Sequence, residues 1–207
     1  MQGVDYMTFV VPGLVMMAIV TTSYANSSFT FFASKFFARS IDEILVSPTP
    51  PWVMIAGFVG GGIVRGVLVG ILVLIVSLFF TGLHISFHNA LIIFVFAILT
   101  AMLFALAGLV NGIYAKSIDG INIVPTFVLT PLVYLGGIFY SVHTLPVWWQ
   151  TITYANPLFY LINGFRYGFL GISDVSIWTS GAVLLVLITI LVALNWYFIR
   201  TGLGLRQ

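Results

Sequence analysis

The chain has 207 residues, 61% of them hydrophobic and only 6% charged, with seven Lys and Arg against five Asp and Glu. Ordinary soluble domains carry ~25% charged residues, so this composition excludes one and indicates an integral membrane protein. The absence of cysteine excludes disulfides, thiolate metal sites and a cysteine nucleophile, and a net charge of +2 in a membrane chain indicates no nucleic-acid partner.

Five apolar blocks follow one another, at about 8–32, 54–80, 90–114, 121–140 and 177–199. Runs of this length satisfy every backbone group only as helices, which predicts an all-α polytopic membrane bundle with five transmembrane helices in this chain. The first block is too long for a signal-peptide core and lacks a basic flank, so it reads as a retained span.

Between the first two blocks lies "SKFFARSIDEILVSPTPP", residues 34–51, which gathers Lys35, Arg39, Asp42 and Glu43 within nine positions. Phe37, Ile41, Ile44 and Leu45 recur at helical spacing on one side, with Arg39, Asp42 and Glu43 on or flanking the other and Pro48 to stop the helix. A short amphipathic surface helix fits this pattern, and a solvated turn is the plainer alternative. Asp42 and Glu43 are adjacent and point to different faces, which argues against a shared acid/base dyad.

In the second block, "GFVGGGIVRGVLVG" spaces Gly62, Gly66 and Gly70 four apart, where small residues let helix backbones approach closely in lipid. Packing within the chain and contact between subunits are both open. Neither a Lys-Ser/Thr pair nor a preceding strand accompanies these glycines, so this is not a phosphate loop. Arg65 sits among them at a cost of roughly 2.5–3.5 kcal/mol for a charge at a span centre, and is expected near the inner end or facing a polar cavity. His84 and His88 share a helical spacing, but without a third ligand nearby no metal site is expected.

The fourth block, "NIVPTFVLTPLVYLGG", contains Pro125 and Pro131, each removing a backbone donor, so the helix is expected to kink or break as a gate hinge or a fixed bend. Thr126 and Thr130 are placed to satisfy freed groups. In the outer segment 141–176, Pro146 opens one short helix, and Asn156 with Pro157 opens a second that stops at Gly171. These two are too short to cross twice, and Trp148, Trp149, Tyr154 and Tyr160 suit an outer interface. Outside the spans, Lys35, Arg39, Lys116, Arg200 and Arg206 lie on one side and Arg166 on the other, which predicts a cytoplasmic charged segment, third-to-fourth loop and tail.

The stretches "FVVPGLVMM", "SYANSSF", "IDEILVSPTP", "LFALAGLVNGIYAKSIDGI", "VPTFVLTPLVYLGGIFYS" and "NPLFYLINGFRYGFLGI" together resemble the membrane permease of type-2 ABC exporters. The resemblance implies a homodimeric or pseudo-dimeric permease with six spans per half, a coupling helix after the second family span and a pair of short outer helices before the last. Residues 34–51 and 141–176 occupy those two places. The chain is then expected to begin after the family's interfacial helix and first span.

The implied function is the transmembrane permease subunit of an ATP-driven export complex in the cell inner membrane, providing the substrate pathway. Arg39, Asp42 and Glu43 would face a separate ABC ATPase, which would use the ATP and Mg. The chain carries no nucleotide-binding or catalytic motif and is expected to be no enzyme and to bind no cofactor or metal itself. Expected partners are the ATPase, a second copy, membrane lipid and an exported substrate that the sequence does not identify. Two other classes are a secondary carrier, which normally needs an ionisable group buried at mid-span, and a non-transporting membrane anchor.

Overall fold

The computed structural model describes residues 6–37, 40–47, 49–81, 88–140, 142 and 145–204, with backbone alone for Ser40, Asp42, Leu45, Phe80 and Thr81. Among these residues all regular structure is helical: α1 (Tyr6–Phe36), α2 (Ser40–Val46), α3 (Pro51–Thr81), α4 (Ala90–Tyr114), α5 (Ile118–Val124), a π-turn (Pro125–Leu129), α6 (Thr130–Tyr134), α7 (Val147–Ala155), α8 (Pro157–Leu170) and α9 (Ile177–Thr201). Four helices, α1, α3, α4 and α9, are long and apolar enough to cross a membrane.

The fourth block differs from expectation. Its helical part begins earlier, at Ile118, and stops at Tyr134 instead of 140. At 1.5 Å per residue it is about 26 Å long, short of the ~30 Å hydrocarbon core. Gly136 and Gly137 follow, and Gly137 adopts φ 80°, a left-handed conformation that glycine enters without penalty. The first block instead runs on to Phe36, taking Lys35 out of the loop and into the last turn of α1.

α1 is the centre of the bundle and packs most extensively against α4 and α3. A Cβ at Gly70 would stand 2.5 Å from Ile19 Cγ1, one at Gly66 would strike Ser23 Oγ, and one at Gly62 would lie 3.1 Å from the Ser23 carbonyl and 2.8 Å from Ala105 Cβ. The order is reversed along the two helices, so α1 and α3 are antiparallel. Against α4 the order is parallel: a Cβ at Gly108 would strike the Tyr24 carbonyl, and one at Gly112 would lie 2.7 Å from the Ser28 carbonyl. α1 thus gives Ile19 and Ser23 to one neighbour and Tyr24 and Ser28 to the other. Close packing without side chains in the way is what holds helices together when lipid is as apolar as leucine. The remaining faces of α3 and α9 present Leu68, Leu72, Ile75, Leu185 and Val186 outward, as a lipid-facing surface would.

Candidate functional site

At one end of the bundle, Lys35 Nζ donates to the carbonyls of Ile113 (3.2 Å) and Gly204. The C-terminal ends of α1, α4 and α9 are therefore gathered around one cation, which complements the negative ends of helix dipoles. α2 lies at this end. Its Ile41 is 1% exposed within the core, Ile44 packs against that core, and Glu43 and Val46 face outward, Val46 at 89% exposure. Arg39 lies outside the described residues, as do the side chains of Asp42 and Leu45.

Phe37 is 64% exposed instead of joining the buried side. α1 ends at Phe36 and α2 starts at Ser40, so Phe37 does not share the helical period of Ile41, and its ring rests edge-on against Phe32 at 5.9 Å. His84 and Arg206 also fall outside the described residues, while His88 is exposed with its ring edge-on to Tyr167 at 5.2 Å.

Arg65 follows Gly57 and Gly61 at four-residue steps, one position behind the row Gly62, Gly66 and Gly70. The two rows are turned about 100° from each other. The first faces open space: a Cβ at Gly57 meets nothing within 4 Å, and one at Gly61 meets only Asn26 Nδ2 at 3.7 Å. Arg65 opens into a cleft of about 560 Å³ between α1, α3 and α5, where Thr21, Thr22, Asn26 and Asn122 also line the walls. Its Nη1 donates to Asn26 Oδ1 at 3.0 Å. Asn26 also borders a second groove, of about 370 Å³, lined by Ile44 of α2 and by Val53, Met54 and Phe58 of α3.

The proline segment makes one wall of this region. Pro125 has no N–H to give the Ile121 carbonyl, and Asn111 Nδ2 supplies that donor from α4 at 3.0 Å while also donating to Ser28 Oγ at 3.1 Å. One turn on, the Thr130 backbone N–H and its Oγ1 (2.9 Å) both reach the Pro125 carbonyl, closing the π-turn. The helix therefore continues through Pro125 by a wider turn, where the sequence predicts a kink or a break. Pro131 lies at the start of α6, and Thr130 back-bonds to the Pro125 carbonyl, not to either carbonyl that the prolines free, those of Ile121 and Phe127.

At the far end, Asn156 caps α8 by accepting from the Leu158 N–H at 3.0 Å, Pro157 opens it, and Gly171 ends it at φ 70°. Asn156 Nδ2 also donates to the Leu132 carbonyl at 2.7 Å, tying α8 to α6. Trp148 and Trp149 on α7 are exposed, and Tyr154 is half-buried against the Phe159 ring. Arg166 is not a surface charge: it is 4% exposed, donates Nη2 to the carbonyls of Gly137 (2.8 Å) and Ile138 (3.5 Å), and lies over the Phe9 ring at 3.8 Å. Sequence reasoning placed it in a loop because the residues around it are too few for a span. The carbonyls that hold it belong to the irregular turn after α6, which no spacing reveals.

Residues 2–170 match the ABC-2 type transporter family. The chain belongs to that family. Over all 207 residues it is 52% identical to the inner membrane transport permease YadH of Escherichia coli K12, covering 80% of that protein, with the same figures for YadH of Shigella flexneri. The ABC transporter permease YbhR of Escherichia coli K12 is 26% identical over 160 residues, which span 75% of this chain and 42% of YbhR. This ABC-2 chain is therefore a transmembrane permease subunit of an ABC transporter, a multi-pass inner-membrane protein, and its family implies an ABC ATPase as partner.

The sequence reasoning on this permease passed over Asn26, Asn111, Asn163 and Asn195. Asn163 Nδ2 donates to the Val175 carbonyl at 2.8 Å and its Oδ1 accepts from the Asp174 N–H at 2.7 Å, while Asn195 Nδ2 reaches the Leu106 carbonyl at 3.1 Å. The available signal was an amide within an apolar run, which lipid does not tolerate without a partner. Gly108 and Gly112 carried the same four-residue signal as the α3 glycines.

Proposed function

We propose that this permease is the membrane half of an ATP-driven exporter whose α2 receives the motion of a separate ATPase at its cytoplasmic end. The observation that carries the reading is the division of α2: Ile41 is sunk in the core and Ile44 packs on it, while Glu43 is left outward at the end where Lys35 ties three helix termini. A push on such an element reaches the bundle directly. Arg39, Asp42 and Glu43 meet the ATPase, which binds and hydrolyses ATP with Mg. α5, the π-turn and α6, together with the turn that follows Tyr134, supply the fifth crossing, Pro125 and Pro131 mark the segment where it changes shape, two copies assemble around the pathway, and the charged loops and tail face the cytoplasm. Arg166 is buried, so Lys35, Arg39, Lys116, Arg200 and Arg206 carry the charge bias that supports this orientation.

Charge reversal at a protein contact puts like beside like and costs several kcal/mol, whereas a solvated charge tolerates it. Glu43→Lys is therefore expected to reach normal membrane abundance while abolishing stimulation of the ATPase by the permease in reconstituted vesicles. Full stimulation by an abundant Glu43→Lys permease refutes the coupling role. An impermeant thiol reagent applied to intact cells is expected to leave Val46→Cys unlabelled in this cysteine-free chain, and strong labelling reverses the orientation.

A further inference from the structure

Among the described residues, Arg65 is a cation without a counter-charge. It stands about 21 Å along α3 from Pro51, within a helix whose neighbouring face meets lipid, and the described residues that line its cleft include no carboxylate. Its hydrogen-bond partner among the described residues is the neutral Asn26 amide. A guanidinium has five N–H donors in a planar fork, so most of this donor set faces the open cleft, flanked by the side chains of Thr21, Thr22 and Asn122. Charges inside a membrane protein are costly enough that they mark ion or substrate paths by default.

The second observation is the neighbour. The groove on the other side of Asn26 is lined mainly by apolar side chains, Ile44, Val53, Met54 and Phe58. A cationic cleft and an apolar groove therefore adjoin through one residue, and the glycines Gly57 and Gly61 leave bare backbone along the groove.

We propose that this double cavity binds an amphiphile with a phosphate- or carboxylate-type head: the head sits on the Arg65 fork beside Asn26, and the alkyl chain lies in the groove under α2. The inference rests on reading the chain as a permease whose substrate enters from the end that bears α2. Arg65 selects the sign of the charge, because the planar fork pairs with an oxyanion and repels a cationic head. Seating the chain against Ile44 also places the ligand in contact with α2 itself.

The test uses the whole chain in phosphatidylcholine nanodiscs, without the ATPase, and radiolabelled dodecyl phosphate below its micellar concentration. Saturable binding is expected. Dodecyltrimethylammonium is expected not to compete, and inorganic phosphate to compete only at far higher concentration. Arg65→Gln is expected to weaken binding by about tenfold or more and Arg65→Lys by less, while Arg200→Gln, at the tail end of α9, leaves it unchanged.

Absence of saturable binding, equal competition by the cationic amphiphile, or unaltered binding by Arg65→Gln overturns the proposal. Equal competition by inorganic phosphate overturns the amphiphile and leaves a site for free anions. If Arg65→Gln is not recovered as folded protein, the contrast of anionic and cationic probes on the unaltered chain decides alone. Because binding is read without the ATPase, a failure of the coupling role at Glu43 leaves this result intact, and the reverse holds equally.

Discussion

Arg166 and Arg65 carry the same side chain into opposite surroundings, separated along α1 by the roughly 25 Å between Phe9 and Asn26. Arg166 is enclosed: its Nη2 donates to two carbonyls from the turn after α6, and its guanidinium lies over the face of Phe9. Arg65 is open: one neutral amide touches it and a cleft lies in front. An enclosed cation organises the elements that enclose it, so the turn after α6, α8 and the start of α1 are fixed relative to one another. An open one leaves its donors for something else. Charge and residue type do not distinguish these uses; the number of local partners does.

The largest expected effect lies at the enclosed end. Arg166→Gln loses charge-assisted hydrogen bonds and a ring contact and is expected to destabilise the permease by about 3 kcal/mol, read as a fall in thermal midpoint in detergent. Arg166→Lys is not expected to restore it, because an ammonium cannot lie flat over Phe9 and still reach both carbonyls with a planar fork. A midpoint like that of the parent for Arg166→Gln would erase the contrast.

Next comes the boundary between the closed and open faces of α3. Gly66→Leu forces α1 and α3 apart and is expected to cost about 1–3 kcal/mol, whereas Gly61→Leu points into the groove and melts near the parent. Equal losses at the two positions would show that the faces are not distinct.

A smaller effect sharpens the wall formed by the π-turn. Asn111→Leu leaves the Ile121 carbonyl unpaired and is expected to cost about 1–2 kcal/mol. In a Pro125→Ala background the restored N–H can take that carbonyl, so the cost falls by about 1 kcal/mol, measured as the coupling energy of a double-mutant cycle. Additive costs would mean that Asn111 does not stand in for the missing donor.

The smallest effect has the opposite sign. Gly57→Ala fills open space in a helix interior and is expected to stabilise by about 0.5–1 kcal/mol. Arg65→Gln is expected to leave the thermal midpoint unchanged. A large loss from Arg65→Gln would place that arginine among the enclosed ones.

The long helices were legible because lipid demands continuous apolar runs: the third block matches α4 at both ends, and Asn156, Pro157 and Gly171 mark α8 by chemistry that acts within a few residues. The end of the fourth block was not legible. Leucine, tyrosine and isoleucine continue past Tyr134, and what stops the helix is Gly137 in a left-handed conformation with its carbonyl held by Arg166, 29 positions away. At the candidate site, helical spacing indicated which α3 glycines share a face. It did not indicate that Gly57 and Gly61 open onto a groove, since that depends on where Asn26 of α1 and Ile44 of α2 arrive.

α1 has the lowest mean hydropathy of the four long helices, 1.6 against 2.5–2.9 for the others, and its Ser23, Ser27 and Ser28 are buried. The partners that cover these serines, α3 and α4, are synthesised after it. At 5–20 residues per second the ribosome takes roughly 4–16 s to move from the end of α1 to the end of α4. During that interval the part of its serine face that α4 covers, at Ser28, lacks that partner. The nascent permease is therefore expected to fold more slowly, or to be cleared more readily, when the synthesis of α4 is delayed.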